Sequence, residues 1–283
     1  MAIKLSNDEF QAIRTVIESL CGITLSENKA YLVESRLNRL VFDCGLRSFG
    51  ELAHKLKDGR DAALLNQAVD LMTTNETLWF RDVHPYRFFQ EQLLPLYESA
   101  FERGRREPVR IWSAACSTGQ EPYSLAMLIL GHLASKPRLK PGLFEILGTD
   151  ISETCLATAK SGEYDRLAMG RGLPEEFRQR FFVEQGRGWR IDEQVRKMVT
   201  FRKFNLQQSF SSLGRFDLIL CRNVAIYFST AFRNQLYAKV HLALQPNGHF
   251  IVGASESLSG YSQDFTLFQY GEGFYYRPKG QSG

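Results

Sequence analysis

The sequence is poor in the residues that build metal clusters and disulfide frameworks. Its 283 residues include five cysteines. The number is odd, and no two of them have the Cys-x-x-Cys spacing of a zinc or redox site. The five histidines do not cluster. We therefore expect no metal, no disulfide framework and a reducing compartment, which is the cytoplasm.

Long apolar runs and a large charge are also missing. No run reaches the roughly 20 residues that cross a bilayer, and the opening MAIKLS lacks the apolar core of a signal peptide. The formal net charge is only +4, too small to imply wrapping by nucleic acid. We therefore predict no direct membrane insertion and no nucleic-acid partner. The remaining composition, 44% hydrophobic and 23% charged, is that of one to two globular domains.

The first 74 residues carry apolar side chains at helical spacing and predict an all-α N-terminal domain. Ser6 and Glu9 have the spacing of a capping box, and Gly22 is placed to end the first helix. Residues 75–107 are predicted to be a linker, ending in the polar stretch 103–108. No strand is expected before residue 108.

Residues 108–283 alternate between strand and helix patterns. Strands are predicted at 109–115, 144–149, 216–221 and 249–254, the last after a turn at 246–248. This alternation predicts an α/β fold, a doubly wound, Rossmann-like parallel sheet covered by helices on both faces. The segment at about 162–202 interrupts this alternation of strand and helix patterns. We predict that it is a small antiparallel β-subdomain with a hairpin turn at 186–188.

The loop after the first predicted strand has one glycine, where dinucleotide-binding loops have three. Residues 113–122 read SAACSTGQEP, and the next helix begins with Glu121. A pyrophosphate needs several glycines and a helix N-terminus that accepts negative charge. S-adenosylmethionine (AdoMet) instead carries an ammonium and a sulfonium and has no phosphate. The loop therefore favours AdoMet over a dinucleotide.

Acidic and polar residues follow two further strands. Asp150 ends the second, where an acid accepts hydrogen bonds from ribose hydroxyls; alternatively it caps the next helix, which Ser152 could do instead. Arg222, Asn223 and Tyr227 follow the strand at 216–221, at the edge where substrate should meet cofactor, although a solvated turn is the alternative. Together these residues predict an AdoMet-dependent methyltransferase domain.

Four stretches then resemble one family closely. They are TTNETLWFR at 73–81, WSAACSTGQEPYS at 112–124, CRNVAIYF at 221–228 and GASES at 253–257. In this order they resemble the chemotaxis receptor glutamate methyltransferases, the CheR family, and the resemblance covers essentially the whole chain. It implies an enzyme that transfers the AdoMet methyl group to glutamate carboxylates of chemotaxis receptors. The products would be S-adenosylhomocysteine (AdoHcy) and glutamate 5-O-methyl esters, for sensory adaptation.

The resemblance also implies the site residues. Arg81 and Tyr227 are expected to be catalytic. The cofactor-binding residues implied by the family pattern are Asn75, Thr77, Arg81, Glu121, Asp150, Asn205, Leu206, Arg222 and Asn223. Whether Arg81 holds the carboxylate of the cofactor or that of the substrate is left open by the sequence.

The implied partner is the cytoplasmic helical bundle of chemotaxis receptors, with the enzyme expected to be a monomer recruited to membrane receptor arrays. Lys29, Arg36 and Arg39 lie on one face of the second predicted helix and are predicted to dock the receptor. A solvated charged face is the alternative. This helix is less basic than the family pattern, and the hairpin turn at 186–188 is short for a subdomain that holds a receptor tail.

The expected chemistry explains the lack of a His or Cys catalytic dyad. A glutamate side chain has a pKa near ~4.3 and is ionised at neutral pH, so no general base is required. Two other functions compete. A nucleic-acid base methyltransferase would carry an Asn/Asp-Pro-Pro-Tyr motif, which residues 223–227 resemble only loosely. A non-catalytic binding module is disfavoured by the intact acidic and polar residues.

Overall fold

A computed structural model of the chain describes residues 3–136 and 139–280. The outer ends of the first and last predicted domains, residues 1–2 and 281–283, lie outside this range. The N-terminal region consists of four helices: α1 (Asn7–Cys21), α2 (Ala30–Asp43), α3 (Phe49–Asp58) and α4 (Ala62–Met72). Ser6 and Glu9 form the predicted capping box, and Gly22 ends α1 at φ 77°. Fully buried Ile13, Leu37 and Leu52 join the helices in one core.

The residues predicted as a linker are largely helical. They form α5 (His84–Phe88), a π-helical turn (Phe89–Leu93) and α6 (Leu94–Glu102). Phe89 and Leu94 are fully buried in the same cluster as the main sheet. The segment therefore forms a wall of the α/β domain, because its apolar side chains cover one face of the sheet.

The rest of the described chain contains ten strands and six further α-helices, together with short 3-10 turns and loops. The strands are β1 (Val109–Ala114), β2 (Phe144–Asp150), β3 (Glu163–Asp165), β4 (Phe182–Gln185), β5 (Gly188–Ile191), β6 (Val199–Lys203), β7 (Phe216–Cys221), β8 (Leu244–Ile251), β9 (Phe265–Tyr270) and β10 (Gly273–Pro278). The helices are α7 (Gln120–Leu133), α8 (Glu153–Ser161), α9 (Arg166–Met169), α10 (Glu175–Phe181), α11 (Glu193–Lys197) and α12 (Thr230–Ala243).

The main sheet has the order β6-β2-β1-β7-β8-β10-β9, with the first five strands parallel and β10 antiparallel to both neighbours. Consecutive β1 residues point to opposite faces: Ile111 packs into the cluster under α7, and Trp112 into the cluster under α12. The predicted doubly wound, Rossmann-like fold is confirmed. Because all five parallel strands end at one edge, residues that follow them meet there.

A separate three-stranded antiparallel sheet, in the order β3-β5-β4, forms the predicted β-subdomain. Only residues 186 and 187 connect β4 to β5, so the hairpin is short as predicted. The predicted insertion extends too far, however. Val199–Lys203 pairs in parallel with β2 and belongs to the main sheet.

The last parallel strand also differs from its prediction. The turn expected at 246–248 lies within β8, which begins at Leu244 and ends at Ile251 instead of residue 254. The pairing of β8 with β7 shifts register between Phe216 and Leu218. This irregularity accommodates Pro246 and Gly248, whose turn-forming character misled the prediction.

Candidate active site

The loop after β1 folds tightly although it contains a single glycine. Ala115 and Ser117 have φ 61° and 50°, and Gly119 has φ 92°. A left-handed non-glycine residue costs about 1–3 kcal/mol, and such strain concentrates at functional sites. Two hydrogen bonds hold the loop in place. The Ser117 N–H donates to Asp150 at 2.8 Å, and the Ser117 hydroxyl donates to the Asn75 carbonyl at 2.8 Å.

Asp150 lies at the end of β2, 6% exposed. Its two oxygens accept the backbone N–H groups of Ser117 at 2.8 Å and Ser152 at 2.9 Å. The cap of α8 is the Ser152 hydroxyl, which accepts from the Cys155 N–H at 3.1 Å. Burial raises the pKa of Asp150, while these N–H donors act in the opposite direction. A carboxylate has about four acceptor positions, so Asp150 retains capacity for two hydroxyl groups.

Glu121, in the first turn of α7, is fixed from two sides. The Ser113 hydroxyl donates to its Oε1 at 2.8 Å, and the Arg222 guanidinium donates to its Oε2 at 2.7 Å. The Arg222 side chain is only 2% exposed. A buried charge of this kind persists only when it is paired. The pair joins the helix after β1 to the loop after β7.

Arg222 also reaches the segment that precedes α5. Its Nη2 donates to the Asp82 carboxylate at 2.8 Å and to the Arg81 carbonyl at 2.6 Å. The Tyr86 hydroxyl lies 3.4 Å from its Nη1. Arg222 therefore stands between two carboxylates and connects three separate parts of the chain.

The loop after β7 is held by Glu256, which the prediction did not assign to the site. Its carboxylate accepts three backbone N–H groups: from Asn223 at 2.6 Å, from Gly253 at 2.7 Å and from Val224 at 3.1 Å. Asn223 is left-handed at φ 58°. Glu256 therefore stabilises a strained residue and joins the ends of β7 and β8. The sequence signal was available, because Glu256 lies in the GASES stretch.

The N-terminal domain forms the opposite end of the site. Asn205 donates from Nδ2 to the Leu20 carbonyl at 2.7 Å, and the Thr24 N–H donates to the Tyr227 carbonyl at 2.9 Å. Cys21 and Ile23 of this domain line the cleft. Sequence reasoning missed these two residues, because they show only an ordinary apolar helix end.

One cleft collects all ten predicted cofactor-binding and catalytic residues. It has a free space of about 930 Å³, part of it open to solvent, and it is lined by Asn75, Thr77, Arg81, Glu121, Asp150, Asn205, Leu206, Arg222, Asn223 and Tyr227. Arg81 donates to the Glu76 carbonyl at 3.1 Å within its own segment. The individual roles of these ten residues remain predictions.

The residues predicted to dock a receptor lie outside this cleft, and one of them has a different environment from the one expected. Arg36 donates to the Met72 and Thr73 carbonyls at 3.0 and 3.3 Å, at the end of α4. The last carbonyls of a helix lack intrahelical partners, so a guanidinium there stabilises the helix end. Arg36 is thus occupied within the fold. Lys29 is exposed, and the Arg39 side chain is 90% exposed and pairs with Asp43 at 3.3 Å.

The groups that line the cleft suit AdoMet. Asp150 offers acceptors for a ribose, and Glu121 places negative charge where an ammonium or sulfonium would be favoured. The apolar Leu206, Phe204 and Ile151 offer surface for an adenine ring. A bound AdoMet would supply an electrophilic methyl group on a sulfonium.

The described residues show no metal cluster and no membrane-spanning helix. Residues 3–136 and 139–280 contain no group of three or more His, Cys, Asp or Glu side chains placed to hold a metal ion. Over the same residues, no helix combines the length and apolar character needed to span a bilayer.

Comparison with known proteins identifies the family. The model described as "CheR methyltransferase, all-alpha domain" matches residues 8–73, and "CheR methyltransferase, SAM binding domain" matches residues 75–274. SAM is AdoMet. Chemotaxis protein methyltransferase 1 of Pseudomonas aeruginosa is 45% identical over 276 residues, covering 97% of this chain and 99% of that protein.

Two further relatives are also named chemotaxis protein methyltransferases. Chemotaxis protein methyltransferase Cher2 of Pseudomonas putida is 43% identical, covering 96% of this chain and 98% of that protein. The chemotaxis protein methyltransferase of Vibrio anguillarum is 43% identical, covering 98% and 99%. With both domains and nearly every residue accounted for, the chain belongs to the CheR methyltransferase family.

Proposed function

We propose that this methyltransferase transfers the methyl group of AdoMet to glutamate carboxylates of chemotaxis receptors and forms glutamate 5-O-methyl esters. The names of the relatives place them in chemotaxis. The observation that carries the choice of acceptor is the lack of an ionised thiol or a histidine among the described residues that line the cleft.

Among the described residues that line the cleft, the thiols that could act as bases if ionised are those of Cys21 and Cys116. Burial raises the pKa of Cys21 to about 11 and that of Cys116 well above its usual range. Both remain thiols at neutral pH and are poor bases. Glu121 is engaged by Arg222 and Ser113. An amine or hydroxyl acceptor would have to lose a proton, whereas a carboxylate arrives ionised.

The transfer then balances without a proton acceptor. A carboxylate oxygen forms a bond to the methyl carbon, the carbon–sulfur bond breaks, and its electron pair stays on sulfur. Charge is neutralised in this step, so a dry and rigid cleft favours it. Arg222, Glu121 and Glu256 supply the rigidity, and Tyr227 and Arg81 are placed to orient the acceptor.

The direct test is incubation with tritiated AdoMet and receptor cytoplasmic fragments. We expect base-labile label on glutamate, and much less of it with Asp150→Ala at AdoMet concentrations near the wild-type Kd. Stable label on RNA or DNA would favour the competing base methyltransferase. Binding of AdoMet without transfer to any acceptor would favour a binding module.

We further propose that exposed Lys29 and Arg39 contact the acidic receptor bundle as the enzyme is recruited to receptor arrays. Lys29 is exposed, and Arg39 forms a solvent-exposed ion pair with Asp43 that contributes little energy, whereas Arg36 stabilises the end of α4. Reversing Lys29 and Arg39 to Glu should reduce the rate of receptor methylation and its sensitivity to salt, since exposed charges are screened over ~8–10 Å. Lys55→Glu with Lys57→Glu on α3 makes the same charge change and is the control. Equal rates in both double variants would contradict this proposal.

A further inference from the structure

A second depression lies beside the cofactor cleft, between β8 and β10. The register of these two strands contains a single pair, Phe250 with Tyr276. Beyond that pair, the end of β8 and the start of β10 line opposite sides of a groove with a free space of about 960 Å³, part of it open to solvent. We call it the β8–β10 groove, after the residues 251–254 and 273–276 that line it.

The groove shares a wall with the cofactor cleft. Asp82 and Glu256 line the groove, whereas their partners Arg222 and Asn223 line the cleft. The Asp82–Arg222 contact is 2.8 Å, and the Asn223 N–H lies 2.6 Å from Glu256. One layer of side chains therefore separates the groove from the cleft. A chain segment bound in the groove would lie close to the residues that line the cleft.

The order of the strands makes the groove the natural place for the acceptor. Apart from Asn75, Thr77 and Arg81, which precede α5, the residues predicted to bind the cofactor follow β1, β2, β6 and β7. The next strand in the sheet is β8, at whose end the groove begins. Donor and acceptor must meet at this edge without occupying the same space, and the acceptor therefore approaches from the β8 side.

The lining indicates what kind of segment fits. Phe88 and Tyr275 stack on each other with ring centroids 4.2 Å apart, and Leu267 and Phe274 remain 52% and 55% exposed. The carboxylates in the lining are Asp82, Glu256 and Glu272. Apolar side chains gain free energy by covering such a surface. Asp82 is paired with Arg222, and the carboxylates of Glu256 and Glu272 disfavour a further acid.

We propose that the β8–β10 groove binds apolar, non-acidic residues that flank the methylated glutamate of the protein substrate. The inference rests on the proposed function, because it assigns a place to the acceptor of that reaction. It predicts that an acceptor is selected by an apolar neighbour as well as by its reactive carboxylate.

The test is Leu267→Gln combined with Phe274→Gln, two changes at exposed positions that leave the core intact. We expect about a tenfold rise in KM for the receptor fragment, a corresponding rise in its directly measured Kd, and unchanged AdoHcy affinity and Tm. A loss of this size corresponds to apolar surface that is no longer covered.

Leu242→Gln on α12 and Leu96→Gln on α6 are matched controls, since these side chains are 68% and 47% exposed and lie outside the groove. Wild-type turnover with an unchanged KM and Kd in the double variant would overturn the groove assignment alone. If the double variant instead abolishes self-association of the enzyme, the occupant is a second copy and the assignment is also wrong. Absence of methylation by the wild type would refute the proposed function, and this inference with it.

Discussion

At the scale of single residues, the cleft depends on buried charges whose partners are backbone or opposite charges. Asp150 accepts two N–H groups, and Arg222 lies between Glu121 and Asp82. Removing one partner leaves the other charge or N–H group buried without a partner. This loss destabilises the folded protein by more than the contact itself contributes to stability. Substitutions here therefore affect ligand binding and stability together, and the two must be measured separately.

Asp150→Ala illustrates this coupling. We expect AdoHcy binding to weaken by about 1.5–3 kcal/mol, the range for hydrogen bonds to an ionised acceptor. The Tm should also fall, because two buried N–H groups lose their partner. Calorimetry and thermal unfolding measure the two effects. An unchanged Kd would mean that Asp150 serves only the loop after β1.

Tyr227→Phe should separate binding from transfer. The Tyr227 carbonyl accepts the Thr24 N–H, an interaction that the substitution keeps. If the hydroxyl acts at the reacting groups, kcat should fall while the Kd for AdoHcy stays nearly constant. A parallel loss of both quantities would make Tyr227 a cofactor ligand instead.

His249 gives stability a dependence on pH. It is 6% exposed, and burial lowers its pKa to about 4 from an ordinary value of 6.5. The unfolded chain therefore binds more protons between these values, so stability is complete above about pH 6.5 and falls as the pH drops toward 4. The shift corresponds to at most about 3 kcal/mol.

His249→Phe should reduce the loss of stability between about pH 6.5 and pH 4, because phenylalanine binds no proton. A phenyl ring suits this place, since Phe88 and Tyr275 already surround the ring of His249. Urea unfolding of both proteins at pH 7 and pH 4.5 measures the difference. An equally steep loss of stability in the variant would show that groups other than His249 cause the loss of stability at low pH.

At the scale of elements, the loops at the carboxyl ends of the parallel strands are joined by a few side chains. Glu256 joins the ends of β7 and β8, and Arg222 joins the β7 loop to α7 and to the segment before α5. These contacts and two glycines shape the loops: Gly119 has φ 92°, and a Cβ on Gly253 would lie 2.6 Å from the Asn223 side-chain amide nitrogen. Asn223, Ala115 and Ser117 adopt left-handed conformations although they are not glycine.

Glu256→Gln should therefore impair the site although Glu256 does not line the cofactor cleft. The amide retains one acceptor oxygen and turns an NH₂ toward backbone N–H donors, so at least one buried donor loses its partner. We expect a loss of about 1–3 kcal/mol in stability and a lower kcat, because Asn223 is no longer fixed. Glu184→Gln on the exposed β4 strand is the control. Wild-type kcat in Glu256→Gln would exclude this positioning role.

At the scale of the whole molecule, the helical domain is part of the cofactor cleft. The segment around residues 20–24 contacts Asn205 and Tyr227, and Ile23 pairs with Phe228 as an isolated antiparallel bridge. A ligand in the cleft touches both domains, and it should stabilise the contact between them.

Hydrogen exchange measures this coupling. Binding of AdoHcy should slow exchange at the Thr24 amide, which donates to the Tyr227 carbonyl, because local opening would require loss of the ligand. The Leu52 amide in α3, far along the chain from these contacts, is the internal reference. Equal exchange at Thr24 with and without AdoHcy would show that the domains move independently of the cleft.

The amino-acid sequence by itself predicted the helical N-terminal domain, strands β1, β2, β7 and β8, and ten residues that line the cleft. Helical periodicity and the Ser6–Glu9 box specify α1, because a cap and its helix are local interactions. Parallel strands place the residues that follow them at one edge, so Glu121, Asp150 and Arg222 could be assigned from their positions after strands. The family pattern supplied residues that periodicity does not reveal: Asn75 lies in the first of the four stretches, and Asn205 lies outside them.

Only the tertiary structure decided the contacts between segments far apart in sequence. Val199–Lys203 is a strand of the main sheet because β2 pairs with it, and Pro246 lies within β8 because a register shift accommodates it. Arg36 looked like a free surface charge until the end of α4, more than 30 residues away, proved to be its partner. Asp82 and Glu256 acquired roles in the same way. Such pairings depend on which surfaces meet after folding, so they cannot be predicted from the local spacing of residues.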